Sequence, residues 1–388
     1  METEFSYWGH RLRIVWATGC EPVVAFLRSY FSPYFEIQDR LGAAPGVARV
    51  EVDIRESVPG APNFDGAGMI IVDRSGGFLY CEGRTVSTAD GLWIKLMPFQ
   101  VVIRVDPDQR RIQVWAPRPD LLRVPLLRIV EDFVLNAVQN SGGVVLHASG
   151  VVAGGHAILL VGNKKAGKTT GLCRLLSGYW VSKLANDNVC LMLRDGQLLV
   201  RGWPAFFKVS VATTALFREL NADFPEDRRS SLDDDDSLWG VYEKVALYPE
   251  QGAERFGTRI EPEAPLGGII YPEYRPDAAP GIHAIESDPG SGGPRLTAFL
   301  QGFMNPNHCE WLGIDPVSPD EVRNRLATIE RAIARTAVPQ YEMTWAPSLE
   351  ELFGRADILR PFNKGILNCK ERQAARGEWP PLPSVETR

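Results

Sequence analysis

The sequence predicts an α/β fold with a β-rich N-terminal part, and three observations carry that expectation. Residues 1 to about 118 alternate apolar and polar positions in the period-2 manner of half-buried strands, with one helical interruption. Beyond residue 144, short continuous apolar runs alternate with helical patterns, as buried strands and crossover helices do. Between the apolar run that ends at Val161 and the helical pattern that begins near Lys168 stands GNKKAGKT, which fits G-x-x-x-x-G-K-[ST] without a mismatch.

That third stretch carries the chemistry. In such a strand–loop–helix context the glycines let successive backbone N–H groups turn inward around phosphate oxygens, and the new helix offers the positive end of its dipole to the same anion. The residues expected to cradle a nucleoside triphosphate are Gly162, Asn163, Lys164, Lys165, Ala166, Gly167, Lys168, Thr169 and Thr170. Lys168 is expected on the β- and γ-phosphates, and the Thr169 hydroxyl on Mg²⁺, so ATP and Mg²⁺ are the implied cofactors.

Composition narrows the rest. The chain has 388 residues, 45% hydrophobic and 23% charged, with a formal net charge of −6, which argues against a partner held by phosphate neutralisation; no nucleic-acid partner is expected. The six cysteines show no C-x-x-C or zinc-type spacing. No charged-then-apolar leader and no apolar run of about 18 residues is present, so no membrane association is expected, and a reducing cytoplasm is the expected compartment.

In chain order, RLRIVWA, VARVEVDI, GMIIVD, GFLYCEG, LWIKL, QVVIRV and RIQVWAP read as strands. The last two are joined by the turn residues Asp106, Pro107 and Asp108, and PVVAFLRSYF reads as a helix. Trp8 and Trp16 are expected in the core. A long helix is expected over 121–138, stopped by Ser141-Gly142-Gly143, followed by two strands joined at Gly154-Gly155. The helix after the loop should stop at Gly178. YWVSKLANDNVCLML then reads as a buried strand broken by Asn186-Asp187-Asn188, polar residues that cost free energy unless paired or ligated. Asp187 suits a Mg²⁺ ligand or a base for an acceptor hydroxyl.

An Asp195-Gly196 turn leads into a strand that ends at Arg201-Gly202, and residues 213–240, with four aspartates at 233–236, read as a solvated loop. LGGIIYP reads as a core strand. Ser318-Pro319-Asp320-Glu321 is a helix start, followed by a strand, VPQYEMTW, and a closing helix, SLEELFGRADIL. The expected domains are a β-rich domain over 1–118, a phosphate-loop domain over 119–360 and a tail over 361–388.

The order Leu146-His147-Ala148-Ser149-Gly150, a hairpin, Gly162 to Thr169, a short helix and Ala185-Asn186-Asp187-Asn188-Val189 resembles the HPr kinase/phosphorylase superfamily. Its smaller relatives include kinases acting on free serine or on ribosomally made peptides. The resemblance spans about residues 120–358 and implies a P-loop kinase core of the HPr-kinase type. It also implies that His147 stands beside the γ-phosphate, that Lys168 is catalytic, that the Thr169 hydroxyl binds magnesium, and that Asp187 keeps the general base if the family's base is the second of its paired acids, whereas another base is needed if it is the first. The family commonly has two adjacent acids where this chain has Asn186-Asp187, and a glutamate two residues before an Arg-Gly where this chain has Leu199 before Arg201-Gly202. Arg201 is carried as a residue facing the phosphates, while the phosphorylase reaction and HPr itself as substrate lose support.

The resulting expectation is an ATP-dependent kinase acting on a hydroxyl of a small metabolite or a serine of a peptide, in a specialised biosynthetic pathway. A nucleotide-gated regulator or scaffold is the alternative, motivated by the acid missing at 186. A plain NTPase ranks below both. Guanidino and amine acceptors stay open, as does oligomerisation, which is frequent in the family.

Overall fold

The structure, a computed structural model, describes residues 1–39, 47–73, 81–223, 244–275, 281–285, 296–300 and 317–345. The aspartate run at 233–236, the expected helix SLEELFGRADIL and the tail lie outside them. Contacts divide the chain into two units, Met1–Val145 with Leu300–Ala327, and Leu146–Phe299 with Thr328–Arg388. The architecture is mixed α/β, with large sheets and few helices among the described residues.

The first unit holds a nine-stranded sheet made of β1 (Glu2–Tyr7), β2 (His10–Val15), β3 (Glu36–Asp39), β4 (Ala48–Ile54), β5 (Gly68–Asp73), β6 (Cys81–Thr88), β7 (Gly91–Leu96), β8 (Val101–Asp106) and β9 (Arg111–Ala116). Their order is β3-β1-β2-β4-β9-β8-β7-β6-β5. The hairpin expected between β8 and β9 is present, and the Asp106 carboxylate accepts from the Gln109 N–H at 3.1 Å. Helix α1 (Glu21–Phe31) buries Val23, Val24, Leu27, Tyr30 and Phe31. Helix α2 (Arg123–Asn140) stops where expected: Gly142 takes a left-handed φ of 88° and the Gly143 N–H reaches back to the Val138 carbonyl. Trp16 is buried and donates to the Thr3 hydroxyl at 3.1 Å, while Trp8 sits half-buried in the β1–β2 turn.

Two strands escaped the sequence reading. β1 is masked by Glu4, which lies inside and is matched by the equally buried Arg13 of β2 at 3.3 Å; an inward ion pair erases the apolar alternation that marks a strand. β3 is short and largely exposed, with little apolar signal to show.

The second unit carries β10 (Val144–Ala153), β11 (His156–Val161), β12 (Ser182–Ala185), β13 (Asn188–Arg194), β14 (Gln197–Gly202), β15 (Phe207–Ser210), β16 (Lys244–Leu247), β17 (Glu263–Tyr274), β18 (Gly281–Ala284) and β19 (Gln340–Trp345). Gly154 and Gly155 join β10 to β11 with left-handed φ of 58° and 79°, the demand of a two-residue hairpin turn. The expected Asp195-Gly196 turn is also formed, with φ of 51° and 78°. The main sheet runs β11-β10-β13-β14-β17-β19-β18, and β17 also lies parallel to β11, so five of its strands close on themselves. β15 and β16 form a separate ribbon. Residues 213–216, expected as the start of a loop, belong to a short helix α4 (Val211–Leu216), capped by the Ser210 hydroxyl, which accepts from the Thr213 N–H at 3.2 Å.

Helix α3 (Lys168–Gly178) ends at Gly178 as expected and turns Leu172, Cys173, Leu175 and Leu176 onto Val151, Ile158, Leu160, Ile270 and Met343 of the sheet. Each leucine buried in this way contributes about 1.5–3 kcal/mol. Phe207 and Val209 of the ribbon and Phe217 complete the same cluster. The helix Pro319–Arg335 begins with a capping box, Ser318 and Glu321 bonding one another's backbone N–H groups at 3.2 and 3.3 Å, and buries Val322, Leu326, Ile329 and Ile333 at helical spacing. Among the described residues no helix is long and apolar enough to cross a membrane.

Lys183 of β12 is fully buried; its ammonium donates to the Pro249 carbonyl at 2.8 Å and lies 5.3 Å from the Phe207 ring centre. Burial, opposed by Cys173, lowers its pKa from 10.5 to about 7. Between those values the unfolded chain binds the extra proton, so this residue's contribution to stability rises with pH. Urea titrations at pH 7 and 9.5 should show wild type gaining on Lys183→Met by up to about 1 kcal/mol per pH unit. Parallel pH profiles for the two proteins would contradict this.

Candidate active site

β11 is an interior strand, flanked by β10 and β17, and its carboxyl end delivers the chain into the loop at Gly162. A Cβ at Gly162 would stand 3.0 Å from the Ala166 Cβ and 3.4 Å from the Pro272 carbonyl, so the loop folds this tightly only over glycine. Lys165 and Gly167 take left-handed φ of 71° and 92°, and the Ala166 N–H closes a turn on the Asn163 carbonyl at 3.1 Å. Gly167 is the N-cap of α3. The first N–H groups of α3 have no carbonyl behind them within the helix, which makes them donors for an anion.

Lys168 is the first residue of α3 and is buried. Its ammonium donates to the carbonyls of Gly162 and Asn163, each at 2.8 Å, so it folds back under the loop. Burial lowers its pKa to about 8, against the pull of Asp187 and with the help of Lys244. Thr169 is half-buried beside it, and the Thr170 hydroxyl bonds that of Thr213 in α4 at 3.0 Å.

Asp187 occupies the turn between β12 and β13. β12 pairs with β10, the strand that carries His147, and the Ser149 hydroxyl of β10 donates to the Asn186 carbonyl. This anchorage brings His147 Nε2 to 3.1 Å from Asp187 Oδ1. Desolvation pushes the Asp187 carboxyl upward, but the His147 hydrogen bond and the charges of His147, Lys168 and Lys208 outweigh it and hold the pKa below the ordinary carboxylate value. The carboxylate is thus ionised at neutral pH, and with half of its side-chain surface still open to solvent it is reachable by a ligand.

His147 and Asp187 touch, and Lys168 acts on Asp187 through charge. Arg201 lies on β14 opposite Cys190 and Glu263, and its ion pair with Glu263 measures 3.7 Å. Two residues that the sequence reading passed over join the group: Lys208 on β15 and Lys244 on β16 both act on Asp187. A lysine in a four-residue strand has no motif to announce it.

The buried Asn186 amide donates to the Phe206 carbonyl at 3.3 Å, a bond that a carboxylate cannot make. Among the described residues no three His, Cys, Asp or Glu side chains converge on a metal position. The donors present, one hydroxyl at Thr169 and one ionised carboxylate at Asp187, fit Mg²⁺, which takes one or two protein oxygens and completes its shell with phosphates and water.

No family model and no curated protein matches the chain. The chain is similar to a solved HPr(Ser) kinase/phosphatase from Coxiella burnetii. The two are 11% identical, over 60% of this chain and 99% of that one, with a TM-score of 0.24. An overlap this loose assigns neither a fold nor an activity.

Asn186→Asp should place a carboxylate against the Phe206 carbonyl and destabilise the protein by about 1–3 kcal/mol at pH 7. The buried acid's folded pKa would lie above its unfolded value, so the loss should grow as pH rises from about 4 and then level off. Equal stability of the variant and wild type by urea denaturation at pH 7 would show that the amide donor is not needed.

Proposed function

We propose that the second unit binds ATP with Mg²⁺ and transfers the γ-phosphate to a hydroxyl of a small metabolite or of a serine in a peptide. The observation that supports this best is the 3.1 Å contact between His147 and an ionised Asp187, charge-coupled to the lysine of a phosphate-binding loop. A loop alone suits any nucleotide-binding protein. A carboxylate oriented by a histidine next to that loop suits a reaction in which an attacking oxygen must be held and relieved of its proton.

The loop's N–H groups and the Lys168 ammonium would bind the β- and γ-phosphates, the ammonium leaving the Gly162 and Asn163 carbonyls to do so. Thr169 and Asp187 would hold Mg²⁺, which supplies charge neutralisation on the phosphate oxygens when bound. His147 engages Oδ1 of Asp187, and Oδ2 is then the oxygen for the metal or the acceptor hydroxyl. In the transfer the acceptor oxygen bonds to the γ-phosphorus as the bond to the bridging oxygen breaks; the acceptor's proton passes to Asp187 and ADP departs with the bridging oxygen's electron pair. Most of the rate enhancement in such a reaction comes from positioning and electrostatics.

The regulatory alternative drew its support from the acid missing at 186. The Asn186 amide has a structural task in its bond to the Phe206 carbonyl, and the transfer reading rests on Asp187.

Lys168→Ala should weaken MgATP binding by about 10- to 100-fold, the loss of a charge-assisted contact, as measured by calorimetry. Asp187→Asn should fold and still bind ATP, with Mg²⁺ held less tightly, yet lose about 10²- to 10⁴-fold in transfer. The assay is γ-labelled ATP with a fractionated metabolite and peptide extract of the source cells, and Lys168→Ala is its blank. Label that stays in ATP across every fraction would favour the nucleotide-gated regulator, and undiminished transfer by Asp187→Asn would remove that residue from the mechanism.

A further inference from the structure

The ribbon of β15 and β16 has two unlike faces. Lys208 stands opposite Ala246, and Ser210 opposite Lys244. Cross-strand partners and alternate residues share a side of a ribbon, so Lys208, Ser210, Lys244 and Ala246 lie on one face and Phe207, Val209, Val245 and Leu247 on the other. Phe207 and Val209 are buried in the core beneath α3, and Leu247 packs against them. The lysine face is turned away from that core.

The ribbon is fastened to the phosphate loop. The Ser210 hydroxyl bonds the Thr213 hydroxyl at 2.9 Å, and Thr213 bonds that of Thr170, in the first turn of α3, at 3.0 Å. Thr213 and Thr170 are both buried, so the link is rigid. Lys208 lies two residues before Ser210 on the same face. Lys244 acts electrostatically on Lys164, Lys168, Lys208 and Asp187. Lys168 from the loop and Lys208 and Lys244 from the ribbon thus act on one carboxylate, Asp187, and Lys164 of the loop acts on Lys244.

Such crowding is unfavourable among the lysines themselves. Burial, then the charges of Lys164 and Lys208, lower the pKa of Lys244 in spite of Asp187. An arrangement with this excess of positive charge is relieved by a bound anion. The position fixes which anion. Lys168 is the residue that takes the β- and γ-phosphates, Asp187 is the residue beside the transferred group, and Lys244 acts on both.

We propose that Lys244 and Lys208 form a second cationic wall, facing the phosphate loop, that binds the terminal phosphate of the nucleotide and so makes the site select a triphosphate over a diphosphate. This rests on the nucleotide-binding reading above and adds to it a pair of specificity-determining residues outside the loop motif. The loop's contacts to the β-phosphate are shared by ADP. The ribbon's are available only to a nucleotide with a γ-phosphate.

The test is a set of calorimetric titrations with MgADP and with the Mg²⁺ complex of a non-hydrolysable ATP analogue carrying a β,γ-imido bridge. Wild type, Lys208→Met, Lys244→Met, the double variant and Lys244→Arg are compared, with circular dichroism and melting curves as checks on folding. Wild type should prefer the triphosphate analogue by about tenfold or more, the scale of a charge-assisted contact. The double variant should lose that preference through weaker triphosphate binding, with MgADP binding unchanged, and Lys244→Arg should keep it. A preference that survives in the double variant, or a loss that falls equally on both nucleotides, overturns the assignment and leaves the phosphate loop standing. Failure of wild type to bind either nucleotide overturns the loop reading itself, and this proposal with it. Lys208→Gln and Lys244→Gln serve the same comparison should a methionine variant melt early.

Discussion

A buried ammonium has to be matched by acceptors or it costs several kcal/mol, and the site is arranged around that constraint at Lys168. The two carbonyls that receive its protons belong to Gly162 and Asn163, so the shape of the loop and the position of the lysine are set by one another. The loop can double back this far because Gly162 has no side chain to strike Ala166 and because Gly167 adopts a left-handed φ at the helix start. The helix in turn keeps its place through the leucines it lays on the sheet. A carboxylate near a half-desolvated ammonium gains in acidity while the ammonium loses some of its reluctance to be charged, and Asp187 and Lys168 stand in that relation.

The parts of this arrangement that were legible in the sequence are those that depend on near neighbours. The Gly154-Gly155 turn, the glycine stop after α2 and the Ser318–Glu321 capping box are decided by φ angles and hydrogen bonds within a few residues, and the residue types name them directly. The turn over Gly162–Gly167 and the helix start at Lys168 belong to the same class. Asp187 was visible because a charged residue interrupts an apolar run, and such an interruption has to have a cause.

What could not be read depends on pairing between distant segments. β17 divides its length among β14, β11 and β19, and no local pattern states which part goes where. The same holds for Asn186, whose replacement of an acid looks like a lost function until the Phe206 carbonyl is seen across from it. Lys208 and Lys244 are separated in sequence by more than thirty residues, yet their register on one ribbon puts them on a common face. Arg201 is placed by pairing of the same kind. Its expected phosphate contact came from a family resemblance at Arg201-Gly202, and the strand pairing sets it beside Glu263.

The parallel neighbours of β11 bear on how the protein is made. Ala157 is matched with Leu266, and Ile269 with Gln340, so the strand that feeds the phosphate loop lacks one partner until residues far downstream have left the ribosome, and that partner lacks its own for longer still. The hairpin of β10 and β11 can form as soon as it is synthesised, but the floor beneath α3 cannot. Contacts of such long range slow folding and leave apolar strand faces open in the interval. During that interval one edge of β11 presents its backbone N–H and C=O groups without their partner strand.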